Sequence, residues 1–232
     1  MRMIKVVIVF VGLLAFGGCK ESSSTVATTS EPITETNLFP LVKGRLFVYS
    51  EYSLDTSASQ KIPATVHRRV TYVKDTVAFS GKNAFLLLDS IYTPAGTTAS
   101  IETTYAAVEN GDLWVVFNGT WLHVFQKSSN TNIAYNAGSY TDYSQGFPIS
   151  VVVEATIRSK QTVTVPAGSI SAYDLELVSI INLFTPPYRI PISIYFADGY
   201  GIIQQTTPVL RNPITGQKEQ GEEFVLVSEN LP

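Results

Sequence analysis

From residue 38 onward, apolar and polar residues alternate in short runs separated by turn residues. That period of two marks half-buried strands, and no stretch carries the 3.6-residue period of an amphipathic helix. Residues 45–54 open the series with Leu46, Phe47, Val48, Tyr49 and Tyr52. In 65–74, Val66, Val70 and Tyr72 fall on one face and His67, Arg69 and Thr71 on the other. Residues 84–92 are apolar on both faces apart from Asp89 and Ser90. In 101–109, Ile101, Thr103, Tyr105 and Ala107 oppose Glu102, Thr104 and Ala106. Later runs cover 149–158, 161–165, 169–184, 190–196, 201–210 and 223–229; Val151, Val153, Ala155 and Ile157, then Tyr173, Leu175 and Leu177, are expected inward. The pattern predicts an all-β chain, an antiparallel meander of about 12 strands forming a curved sheet or open barrel, in one domain over 38–232.

The sharpest local signal is Asn118-Gly119 between Leu113-Trp114-Val115-Val116-Phe117 and Thr120-Trp121-Leu122-His123-Val124-Phe125. Asn-Gly suits a type I′ turn, which needs positive φ at both central residues. A two-residue loop sets Phe117 opposite Thr120, Val116 opposite Trp121 and Trp114 opposite His123. Trp114, Val116, Trp121 and His123 then share one face, and Leu113, Val115, Leu122 and Val124 the other. Both faces are apolar, so both are expected to be covered. Pro166-Ala167-Gly168 predicts a three-residue hairpin. Residues 127–148 break the rhythm with scattered Asn and Gly and with Tyr135, Tyr140, Tyr143 and Phe147. They read as a loop, and loops of that length inside a compact domain tend to be functional or partly disordered.

The first 37 residues follow a different pattern. Arg2 and Lys5 precede an apolar run of about 11 residues, Val6 to Phe16, then Gly17, Gly18 and Cys19. A basic start, an apolar centre and small residues before a cut make a secretory signal peptide, here residues 1–18. The run is far shorter than the roughly 20 residues of a spanning helix. Cys19 is the one cysteine of 232 residues, so the exported chain has no intramolecular disulfide and an unpaired thiol to explain. Gly17-Gly18-Cys19 resembles the lipobox of bacterial lipoproteins, with Phe16 where leucine is usual. That resemblance implies a lipidated Cys19 and a membrane-anchored protein of the bacterial cell envelope. Lys20, standing where aspartate would signal inner-membrane retention, implies the outer membrane. Ala15-Phe16-Gly17 offers the alternative, ordinary cleavage after Gly17. Residues 19–37, rich in Ser and Thr, read as the lipidated cysteine and a flexible tether, reaching on the order of 25 Å as a coil.

Charge narrows the partners. Removing residues 1–18 takes away Arg2 and Lys5 and no acid, so 16 basic residues become 14 against 19 acidic, a net of −5. A chain of that sign is no nucleic-acid binder, and its attachment to a membrane rests on lipid and not on charge.

Three segments resemble an uncharacterised family of bacterial lipoproteins and exported proteins: Phe39-Pro40-Leu41 with Gly44, Val165-Pro166-Ala167-Gly168, and Ala197-Asp198-Gly199-Tyr200-Gly201. Tyr200 replaces a usual small aliphatic residue. The resemblance implies an open β-barrel akin to lipoprotein-localisation carriers, and it implies no activity.

Chemistry is sparse. His67 and His123 stand in no metal-binding spacing, and no nucleophile elbow, S-x-x-K pair, phosphate loop or calcium loop occurs. The sequence therefore predicts no enzyme, no cofactor, no metal site and no catalytic residue. Aromatic content carries what remains: Trp114, Trp121, Tyr105, Tyr135, Tyr140 and Tyr143 are the candidate ligand-binding residues, set against the plain reading of the same rings as core. The expected function is a non-enzymatic envelope binding protein for an apolar ligand or a protein partner; the alternative is a structural or assembly lipoprotein that makes only protein contacts.

Overall fold

The structure is a computed structural model that describes residues 30–57, 60–62, 66–143, 146–183, 186–212 and 216–230. The expected signal peptide, Cys19 and the expected tether as far as residue 29 lie outside the described residues. Fifteen strands and no helix occur among them: β1 Leu46–Ser53, β2 His67–Phe79, β3 Lys82–Tyr92, β4 Thr98–Glu109, β5 Asp112–Phe117, β6 Thr120–Phe125, β7 Ala134–Asp142, β8 Ile149–Ile157, β9 Gln161–Val165, β10 Gly168–Ile181, β11 Tyr188–Ala197, β12 Gly201–Thr207, β13 Leu210–Arg211, β14 Lys218–Glu219 and β15 Glu222–Asn230. Twelve of them form one antiparallel path, β6-β5-β4-β3-β2-β1-β15-β12-β11-β10-β8-β7, with β9 paired to the start of β10 and β13 to β14. Two meanders are thus joined where β1 pairs β15, and the path curls until its ends, β6 and β7, lie side by side. The sheet is a nearly closed barrel with a seam.

Alternation fills the barrel. Val153, Ala155 and Ile157 of β8 face in and share a core with Tyr173, Leu175 and Leu177 of β10, while Val151 packs with Ile181 and Ile190 in a smaller cluster. One end is plugged by Phe39, whose ring stands edge-on to Phe125 and Phe196, each 4.9 Å away between centroids. Two of the family-like segments meet at this plug. Gly201 sits at φ +76°, and a Cβ there would lie 3.4 Å from Pro40 Cδ, so a side chain would be strained and crowded at once. Arg45, buried at the same place, donates to the carbonyls of Gly199 at 2.6 Å and Pro40 at 3.3 Å and pairs with Glu229. Tyr200 leaves the turn intact, since its N–H donates to the Ala197 carbonyl at 3.1 Å.

Towards the other end the interior turns polar. Tyr49, Glu51, His67, Arg69, Thr71 and Asp89 are cross-strand or same-strand neighbours on the inner face of β1, β2 and β3. In β2 the set that points inward is therefore His67, Arg69 and Thr71, continued by the fully buried Val73; only after Val73 does a bulge shift the register. Arg69 pairs with Asp89 and reaches Glu51 at 3.4 Å, while its guanidinium lies 4.5 Å from the Phe224 ring centroid.

Three sequence expectations change. The stretch 127–148 is not one loop, because Ala134–Asp142 forms β7; Gly138, Asn136 and a register shift between them hid its alternation. The Pro166-Ala167 connection is a two-residue loop, since Gly168 already pairs Val165. The tether does not run to residue 37: Ile33 is 5% exposed within the main core, and Glu31 exchanges hydrogen bonds of 2.9 Å with Thr131. Asn37 donates to Asp198 and accepts from the Gly199 N–H. Residues 31–37 are thus a docked strap, and the domain begins near residue 31 and not 38.

Candidate functional site

The Asn118-Gly119 hairpin has the expected register, with Trp114 opposite His123, Val116 opposite Trp121 and Phe117 opposite Thr120. Both turn residues are at positive φ, +46° and +79°. Leu113, Leu122 and Val124 are buried in the barrel. The other face is only half covered, contrary to the expectation that both would be buried, because no element packs over it. Trp114, Trp121 and Tyr105 therefore stand on the outside of the barrel.

There these rings satisfy one another. The Trp114 indole stacks on His123 at 3.9 Å and 7°, and Lys82 Nζ lies 4.0 Å from its centroid, which places the ammonium on the opposite face. His123 Nε2 is 2.9 Å from Asp112 Oδ2. Tyr105 stacks on Phe79 at 4.0 Å, and Trp121 meets the same Phe79 edge-on at 5.9 Å while its Nε1 donates to the Ser80 carbonyl. Both faces of Trp114 and one face of Tyr105 are taken, so these rings form a self-packed outer layer and leave Trp114 no free platform for a flat ligand.

Tyr135 and Tyr140 belong to β7, on the seam. No ladder joins β6 to β7; side chains close the gap. The Tyr135 hydroxyl accepts from the Gln126 N–H at 3.1 Å and donates to the Val124 carbonyl at 2.9 Å, and burial pushes its pKa up. Asn118 Nδ2 donates to the Thr141 carbonyl at 3.2 Å, and Phe117 stacks on Tyr140 at 6.0 Å. Burial, with the Asp142 carboxylate next, also raises the Tyr140 pKa. Gly138 admits the close approach, since a Cβ there would lie 3.0 Å from Leu122 Cδ2.

Three aromatic side chains on this side of the chain are exposed, each beside a turn. Tyr143 is 66% exposed, Phe147 44% and Phe117 40%, with Tyr140 half-buried beside Phe117. Gly146 N–H donates to the Tyr143 carbonyl at 3.0 Å. Of the six candidate residues, Tyr140 stacks beside Phe117, Tyr143 stands exposed just past the end of β7, Tyr135 is tied into the seam, and Tyr105, Trp114 and Trp121 lie on the outer wall. Phe117 and Phe147 are also exposed and were not among the candidates read from the sequence. The available signal was position: each flanks a turn, where a large apolar residue has least reason to stand exposed.

A second concavity, a cleft of about 530 Å³, opens on the barrel wall between β1, β2, the β3–β4 turn and β15. Val48, Val66, Tyr92, Pro94 and Val227 line it with Arg68, whose guanidinium lies 5.7 Å from the Tyr92 ring centroid. Among the described residues no group of three or more His, Cys, Asp or Glu stands close enough to hold a metal ion.

No family model matches the chain, and no curated protein matches it. Its structure is similar to that of a Parabacteroides distasonis protein provisionally named a lipoprotein, with a TM-score of 0.54 and 11% identity over 85% of this chain and 100% of the other. It is also similar to a Bacteroides fragilis protein provisionally named an exported protein with a YmcC-like fold, with a TM-score of 0.48 and 13% identity over 88% of this chain and 100% of that one. At 11% identity the first likeness speaks to the fold: a single-domain, nearly closed antiparallel sheet.

Proposed function

We propose that the protein is a lipoprotein of the bacterial cell envelope, held by a lipid on Cys19, most simply at the outer membrane, and that it binds an envelope protein without catalysing a reaction. The observation that carries the binding reading is the exposure of Phe117, Tyr143 and Phe147 beside turns, next to a barrel interior filled by its own side chains. Rings held on a turn expose contact area at low ordering cost, the quality that makes aromatic residues interface anchors. A small apolar ligand is a second reading, favoured by the 530 Å³ cleft beneath Tyr92.

Two measurements test the proposal. Cys19→Ala is expected to abolish lipid labelling and release the protein into the soluble envelope fraction; an unmodified mature N-terminus at Gly18 would refute the anchor. A photo-crosslinking residue at position 143 is expected to give one discrete adduct with an envelope protein in living cells, and the same residue at Thr164, on β9, none. Equal labelling from both positions would sink the exposed aromatics as a contact surface.

A further inference from the structure

The cleft on the barrel wall lies where two strands fall out of step with their neighbours. β15 slips against β1 between Val48 and Tyr49: Val48 pairs Ser228, Tyr49 pairs Leu226, and Val227 is the extra residue. β4 slips against β3 between Ile91 and Tyr92: Tyr92 pairs Thr98, Ile91 pairs Ser100, and Ala99 is extra. A bulge bends its strand, sharpens the local twist and re-aims a side chain. Between these two bends the alternation that turns Tyr49, His67 and Arg69 inward turns Val48, Ser50, Arg68 and Tyr92 outward, with Ser50 opposite Arg68 and Arg68 opposite Tyr92. Val227, the bulged residue, is 37% exposed. The β3–β4 turn makes the lip of the cleft and is tied down: the Thr93 N–H donates to the Thr97 carbonyl and the Gly96 N–H to the Thr93 carbonyl, each at 2.8 Å.

Charge decides what such a cleft accepts. None of its lining residues is an acid, in a chain whose acids outnumber its bases. Arg68 is the one lysine or arginine among them. Arg45, Arg69, Arg158 and Arg189 each pair with a carboxylate; among the described residues the Arg68 guanidinium pairs with none and lies 5.7 Å from the Tyr92 ring centroid. Its planar fork of donors matches a carboxylate, which it can hold through two parallel hydrogen bonds. Val48, Val66, Pro94 and Val227 offer an aliphatic surface beside it. One guanidinium balances one negative charge, whereas a phosphate group brings about two. We infer that the cleft binds a small amphipathic carboxylate, with its charged end on Arg68 and its aliphatic body along the valines. The volume of about 530 Å³ falls within the roughly 300–1,000 Å³ of small-molecule sites. This assignment rests on the small-ligand reading of the cleft and names its ligand class; it makes no use of the exposed aromatics near β7.

The test is calorimetric titration of the full chain with decanoate, decanol and decyltrimethylammonium, which carry one aliphatic chain and three different charges. Decanoate is expected to bind saturably, decanol about tenfold more weakly or worse, and the ammonium not at all, since a charge-assisted pair with Arg68 is open to the first alone. Arg68→Gln is expected to weaken decanoate about tenfold and to leave decanol unchanged. Val227→Asp, which sets an acid inside the cleft, is expected to weaken decanoate as well. Arg189→Gln, at an arginine already paired with Glu154, is expected to change neither. Equal affinities for decanoate and decanol, both lost in Val227→Asp, would overturn the carboxylate assignment and leave the apolar-ligand reading of the cleft standing. No saturable binding of either would remove both. Decanoate binding that survives Arg68→Gln and Val227→Asp at full strength would put the ligand elsewhere on the chain and overturn the inference.

Discussion

Leu122 and Trp121 are neighbours in β6 and face opposite ways. Leu122 is 1% exposed inside the barrel, while Trp121 rests half-covered on the outer wall against Phe79. Leu122→Ala leaves a cavity with no means of collapse and is expected to cost about 2–5 kcal/mol. Trp121→Ala gives up part of an exposed face and an edge-on ring contact and is expected to cost about 1–2 kcal/mol. Chemical denaturation of the two variants checks the order; a larger loss at Trp121 would mean that the outer aromatic layer contributes more than the core beneath it. The register of this hairpin was legible because Asn118-Gly119 admits one turn geometry. Which face lies inside was not, because Trp-Val-Trp and Leu-Val-Leu are equally apolar, and only the neighbouring strands decide between them.

At the scale of elements, the strap 31–37 shows how composition misleads. One apolar side chain, Ile33, and one acid, Glu35, dock a segment whose other residues look like linker. The Tyr173 hydroxyl and Lys160 Nζ both donate to the Glu35 carboxylate. Burial alone would raise the Glu35 pKa, but those two hydrogen bonds, with its own backbone N–H and the Lys160 charge, together outweigh it and hold the carboxyl below its ordinary 4.5. A carboxyl depressed on folding adds stability above its unfolded pKa and loses it as pH falls through the folded one. Glu35→Gln is therefore expected to lower Tm at pH 7, and the gap from the parent protein to close as pH drops below about 4.5. Thermal melts across that range check it; a gap that persists at pH 3 would show that the carboxylate charge contributes nothing. β7 was missed for the related reason that its register shift beside Gly138 erased the period of two, whereas the regular β8 and β10 were placed on their correct inner faces.

Across the whole molecule, the strand count and antiparallel meander were readable because each hairpin is local. Closure was not: β1 meets β15 across nearly the full chain, and β6 meets β7 without a ladder. Closure is also what turns a polar face of β2 into a barrel lining, where Arg69 answers two carboxylates whose side chains are 5% and 13% exposed, Glu51 and Asp89. Removing one member of a buried charge cluster costs more than the cluster itself contributes, because the remaining charges keep their desolvation penalty. Arg69→Ala is thus expected to cost about 3 kcal/mol, the low end for buried pairs given that Arg69 keeps 24% of its exposure. Arg69→Lys is expected to fall between, since one ammonium cannot span Glu51 and Asp89 as the planar fork does. Urea midpoints of the two variants decide the matter. A loss below about 1 kcal/mol for Arg69→Ala, the range of a solvated pair, would mean that water reaches both carboxylates and that this end of the barrel is an open, wet mouth, not a packed lining.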